Sequence, residues 1–124
     1  NKMEFFSTYD LEKISKAGAF FQPIKLGAKN LFKTRVLSSF WLCTNEGKDG
    51  IAEHLCEVGY WECWITLWIS KNVTPGSICI DAGATYGYYS FFLAQHGCKV
   101  YSIEANPELV LLMEYKLCQL YPLP

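Results

Sequence analysis

Two acidic residues frame the part of this chain best equipped for chemistry. Asp81 follows the apolar run Ile78-Cys79-Ile80, and Glu104 follows Val100-Tyr101-Ser102-Ile103, 23 positions later. Between them lies Gly83-Ala84-Thr85-Tyr86-Gly87, a turn bounded by glycines, and then an apolar stretch from Tyr88. An acid at the carboxyl end of a strand can accept hydrogen bonds from turn N–H groups or from a ligand's ammonium. A second acid at the tip of the adjacent strand can take both hydroxyls of a ribose. Gly83 lets the chain bend sharply and lets a ligand reach the backbone, because a Cβ there would obstruct both. Gly87 is expected to let the following helix pack closely on its strand. A helix that starts at this turn presents its N-terminus to the ligand.

These residues need a β-α-β unit to meet. Ile78-Cys79-Ile80 reads as a short parallel strand covered on both faces. Tyr88 to His96 reads as the crossover helix, stopped by Gly97. Val100 to Ile103 reads as the second strand. Asn106-Pro107-Glu108 opens another helix with an N-cap side chain, a proline at the first helical position and an acid in the first turn. Leu109, Leu112, Met113, Lys116 and Leu117 form its inner face, with Lys116 snorkelling at the margin.

Upstream the pattern differs. Asp10 to Ala17 reads as a weakly amphipathic helix ending at Gly18. Residues 20–45 carry short apolar runs punctuated by Gly27 and Asn30, which predicts strands in a meander. Asn45 to Gly50 is a polar turn. Ile51 to Val58 has helical spacing and is stopped by Gly59. Trp61 to Lys71 predicts a second helix, on which Trp61, Trp64, Ile65 and Trp68 form one apolar stripe. Such a stripe is expected to pack in the core rather than cage a ligand. Val73 to Ser77 is a turn.

Composition narrows the classes. The chain of 124 residues is 51% hydrophobic and 16% aromatic, enough to fill the core of one domain. A net charge of −1 without any run of Lys or Arg gives no reason to expect nucleic acid. No stretch approaches the roughly 20 apolar residues of a membrane span. The residues from Asn1 to Phe6 lack the apolar region of a signal peptide. The six cysteines include no C-x-x-C pair, and His54 and His96 are the sole histidines. No metal site is therefore expected, and the economical setting is cytoplasmic, with reduced thiols.

The glycine turn is not Gly-x-Gly-x-x-Gly, since Thr85 and Tyr86 occupy its middle, and no Gly-Lys-Ser/Thr follows. Both absences argue against a pyrophosphate ligand. A cofactor with a ribose and no phosphate, S-adenosylmethionine, fits better. The competing reading is that Asp81 merely caps the turn and Glu104 is solvated.

Ile78 to Glu104 resembles motif I and the following acidic motif of class I S-adenosylmethionine-dependent methyltransferases. More narrowly, Asp81 to Ser90, followed by Ile103-Glu104-Ala105-Asn106-Pro107, resembles the FkbM family, with its Asp-x-Gly-Ala-Asn-x-Gly-x-x-Ser and Glu-Pro-Asn-Pro. Gly59-Tyr60-Trp61-Glu62 resembles that family's lead-in helix. The similarity covers roughly residues 50 to 118. Thr85 stands where the family usually has Asn, and Ala105 where it usually has Pro.

The resemblance implies an α/β, Rossmann-like class I methyltransferase fold, present here in incomplete form. Residues 1–48 would be an extension with short strands, and 49–124 the N-terminal part of the cofactor domain. It implies transfer of a methyl group to a hydroxyl on a sugar, lipid or polyketide-like acceptor. The cofactor-binding set it implies is Asp81, Gly83, Ala84, Thr85, Gly87, Tyr88, Glu104 and Asn106. Asp81, Gly83 and the Ala84-Thr85 backbone would hold the methionine end, and Glu104 the ribose. Asn106 would line the adenosine or cap its helix. No catalytic base stands out, and His96 falls at the end of its helix remote from the ligand. A seven-stranded sheet would need strands beyond the two after residue 77, so a partial or truncated domain prone to self-association is expected. A Rossmann-type nucleotide binder and a noncatalytic interaction module built on the tryptophans and tyrosines remain the alternatives.

Overall fold

The computed structural model describes residues 10–13, 20–46 and 49–120. Residues 10–13 are helical, and the remainder of the helix expected up to Ala17 lies outside the described residues. The expected meander is present. Strands β1 (Phe21–Leu26), β2 (Lys29–Val36) and β3 (Phe40–Thr44) form an antiparallel sheet in that order. Gly27, with φ of 61°, and Ala28 close the first hairpin, joining Leu26 to its partner Lys29. The second turn places Leu37 and Ser38 at φ of 52° and 50°. Arg35 holds it by donating to the Ser38 carbonyl (2.8 Å), and the Leu37 N–H donates to the Gly59 carbonyl (2.8 Å).

Helix α1 (Gly50–Val58) begins where Asp49 accepts from the Ala52 N–H (2.8 Å) and ends at Gly59, whose φ of 76° no residue with a Cβ adopts easily. It buries Ala52 and Leu55 and packs against β2. Helix α2 (Cys63–Asn72) starts two residues later than the spacing predicts, leaving Trp61 outside it.

The tryptophan stripe is the first correction. Trp64 and Trp68 are 67% and 60% exposed, and the buried face is Thr66, Ile69 and Ser70. Small side chains at 66 and 70 let this helix approach the core closely. The Thr66 hydroxyl is satisfied there, bonding the Trp61 carbonyl (2.7 Å) and the Tyr88 hydroxyl (2.9 Å). Positions 64 and 68 then fall on the opposite side of the wheel.

Strands β4 (Ile78–Ala82) and β5 (Lys99–Ile103) pair in parallel, joined by helix α3 (Tyr88–Gln95). Helix α4 (Pro107–Leu120) follows and packs on β3 of the other sheet. The expectation that the parallel strands are covered on both faces is not met. Cys79, Asp81 and Val100 are half-buried on the face that α3 covers. Ile78, Ile80, Tyr101 and Ile103, on the other face, are 51–71% exposed. A single crossover helix covers one face of its strands, and no described element lies on the second.

On α4, Leu112, Met113 and Lys116 are buried, but Leu117 is 44% exposed. Lys116 is at the core rather than its margin. One hydrophobic cluster includes Leu31, Val36 and Leu42 of the meander with Leu55, Phe92 and Leu112 of the helices. The molecule is thus mixed α/β, with two small sheets sharing a core. No described helix is long and apolar enough to cross a membrane.

Candidate functional site

The site forms where β4 and β5 end together. The register pairs Asp81 with Ser102 and Ala82 with Ile103, so Glu104 emerges beside the glycine turn. Its carboxylate bridges two elements. Oε1 accepts from the Thr85 N–H (2.8 Å), and Oε2 accepts from the Asn106 N–H (2.8 Å) at the head of α4. Those N–H donors, Asn106 first, hold the Glu104 carboxyl below its ordinary value. Asn106 also caps α4, its side-chain oxygen accepting from the Glu108 N–H (3.0 Å).

Three more of the turn's donors are already paired. The N–H groups of Gly83 and Ala84 both donate to the Ile103 carbonyl (2.8 and 3.0 Å), and that of Gly87 to the Ala84 carbonyl (2.8 Å). Gly83 has φ of 75°, and a Cβ built there meets nothing within 4 Å. Its glycine is required by the backbone angle, while the space beside it stays open. Thr85 adopts φ of 56°, a left-handed conformation costly for a β-branched residue.

Gly87 differs from its expected role. With φ of 87°, it would bring a Cβ to 2.8 Å from Phe91 Cε2 and 3.1 Å from Met113 Sδ. The close approach it permits is to those two side chains rather than to the strand. Tyr88 lies in the core, 4% exposed, with its hydroxyl on Thr66. Burial pushes that phenol up to about 12. Asp81 faces α3, where the Ser90 hydroxyl donates to its Oδ2 (2.7 Å). With its one proton committed, Ser90 accepts from Ser102 (2.5 Å). The structure therefore joins Thr85, Glu104 and Asn106 directly, and sets Asp81, Gly87 and Tyr88 towards the packed interior.

A pocket of about 480 Å³ opens beside the turn, bordered by Asp49, Trp61, Thr85, Tyr86, Asn106 and Leu109. Four of these carry no site signal in the sequence, Leu109 reading only as part of the inner face of its helix. Asp49 reads in the sequence only as part of the polar turn before α1. Its second oxygen accepts from the Tyr86 hydroxyl, and burial, then this carboxylate, pushes the phenol well above its usual range. Trp61 was assigned to the buried stripe. Tyr86 sat inside the glycine motif with no spacing to mark it. A comparable pair joins the Tyr89 hydroxyl to Glu62 (2.9 Å), tying α3 to the start of α2.

The histidines lie elsewhere. His96 is buried, with Nε2 on the Val73 carbonyl (2.6 Å), and His54 packs edge-on to Tyr60 and Trp61. All six cysteines are free thiols. Among the described residues no three His, Cys, Asp or Glu side chains gather as a metal site. No family model, curated protein or solved structure matches this chain.

Proposed function

We propose that this chain binds S-adenosylmethionine and belongs to an FkbM-like methyltransferase acting on a hydroxyl acceptor, with a Rossmann-like cofactor fold. The observation that supports it is Glu104 at the tip of β5, bridging the glycine turn and the head of α4. The residues fit a ribose. Glu104 is ionised at neutral pH, and each oxygen accepts one N–H, which leaves lone pairs for two sugar hydroxyls. Trp61 and Leu109 supply an apolar wall for a purine, and Asn106 a polar edge. The open space at Gly83 admits a ligand against the backbone. The N–H groups of Gly83 and Ala84 are committed to Ile103, so recognition rests mainly on the ribose contact.

When bound, the cofactor supplies a methyl group on a sulfonium sulfur. The chain's own part is positioning, the larger share of catalysis in a displacement that requires alignment. Ser90, itself bonded to Ser102, holds the Asp81 side chain in place behind the turn. The acceptor is a sugar or lipid hydroxyl. The free thiols support a reducing, cytoplasmic setting.

Calorimetric titration with S-adenosylhomocysteine tests the reading. Micromolar binding is expected, weakened about tenfold or more by Glu104→Gln, which replaces one acceptor oxygen with a donor. Absence of heat with the wild-type chain, or equal affinity in the variant, removes the reading. Binding of NAD alone would favour the nucleotide-binding alternative.

Exposed Trp64 and Trp68 favour a second reading, an interaction module that buries them against a partner or a second copy. Sedimentation that depends on concentration, and that Trp64→Ala abolishes, would support it.

A further inference from the structure

A second cavity, about 820 Å³, lies between β3, α3 and α4; Glu104 borders it, but the glycine turn does not. Phe40, Trp41, Phe91, Val100 and Met113 give it apolar walls, and exposed Ser39, Gln95 and Gln119 lie at its rim. Lys116 lines it while only 6% exposed. Its Nζ stands 4.5 Å from the centre of the Phe91 ring and 5.1 Å from that of Phe40, and it donates to the Trp41 carbonyl. Among the described residues no carboxylate forms an ion pair with this amine.

We propose that Lys116 is a reactive amine that condenses with a small apolar aldehyde in this cavity. The geometry suits the chemistry. Donation to a carbonyl needs one N–H, which a neutral amine also has, so the Trp41 contact survives loss of the proton. That contact fixes the nitrogen and leaves its lone pair for attack. The amine adds to the aldehyde carbon, the carbinolamine loses water, and a C=N bond replaces C=O. Protonated, the resulting iminium keeps an N–H for Trp41 and a positive charge between the two ring faces.

The charged and titratable groups around the cavity are Lys33 from β2, Cys43 from β3, Glu104 beyond β5 and Glu114 on α4 itself. Burial is the largest influence on Lys116 and brings it down to about 8; Lys33 acts in the same direction, and Cys43 opposes. Mildly alkaline water therefore leaves much of this amine unprotonated, whereas exposed lysines stay charged. Glu104 borders this cavity, but the proposal uses neither it, nor Asp81, nor the glycine turn, and does not depend on methyl transfer.

Benzaldehyde with sodium cyanoborohydride is the probe, applied to the wild-type chain. Reduction traps the imine as a benzylated lysine, and peptide mass mapping separates Lys116 from every other amine. Near neutral pH, Lys116 is expected to label about tenfold faster than exposed Lys25 and Lys71, with a rate that levels off above about pH 8. Labelling of Lys116 no faster than the exposed lysines overturns the proposal. So does a rate that keeps climbing with theirs to about pH 10.

Discussion

In the meander, β3 buries Leu42, Cys43 and Thr44 in succession, whereas the parallel pair leaves Ile78 and Ile80 open to water. The two sheets differ in how their strands are joined. Antiparallel strands connect through turns of two or three residues, which leaves the following helices free to pack on the sheet. Here α1 lies against β2 and α4 against β3. Parallel strands need a crossover, and a single crossover helix lies on one face only. A β-α-β unit therefore brings Glu104 to its glycine turn without completing its own burial. Site geometry and fold completeness are separable properties in this molecule.

The largest expected effect tests the better-packed region. Leu42→Ala, at a fully buried position of β3, should cost about 2–5 kcal/mol in urea unfolding. Loss below about 1 kcal/mol would mean that the meander is no better packed than the parallel pair.

Next come the glycines of the turn. Gly87→Ala meets Phe91 at 2.8 Å and a φ of 87°, and should cost about 2–3 kcal/mol, read by thermal melts. Gly83→Ala has the backbone penalty alone, about 1–2 kcal/mol, because nothing lies near its Cβ. Equal losses would show that packing at Gly87 contributes little.

A gain of about 1 kcal/mol is expected from Thr85→Asn, since Asn tolerates the left-handed φ of 56° better than a β-branched residue. The same melts would show no gain if the turn relaxes in solution.

On the bare face, Ile80→Ser should change stability by no more than about 0.5 kcal/mol. A larger loss, measured over a range of protein concentrations, would reveal that something covers this face.

The smallest effect concerns Glu104. Its folded carboxyl is held below the ordinary 4.5 by the N–H groups of Asn106 and Thr85. Its contribution is thus complete above the unfolded value and disappears as pH falls from about 4.5 through the lower folded value. Glu104→Gln should flatten that acid limb of the stability curve slightly, and an unchanged limb would dissociate Glu104 from the turn.

Much of the fold was legible because its signals are local. Gly59 and Gly97 mark helix ends through backbone angles that only glycine adopts easily, and Asn106 marks a helix start through a side-chain oxygen on a nearby N–H group. Short apolar runs marked the meander and the two parallel strands. Within the site, the spacing of Asp81 and Glu104 predicted a shared edge, and the register supplies it. The pairing of the Gly83 and Ala84 N–H groups with Ile103 was not readable, because backbone partners carry no side-chain signal.

By itself, then, the sequence determined where elements start and stop and which residues reach the sheet edge, since those depend on neighbours within a few positions. Tertiary structure alone decided which face of each element is inside. An apolar stripe such as Trp64 and Trp68 is buried only if something packs on it, and here Thr66 and Ser70 occupy the contact. The same dependence drew Lys116 off the surface, to a carbonyl 75 residues away at Trp41. Periodicity records which side chains share a face, and only the assembled neighbours determine whether that face meets protein or water.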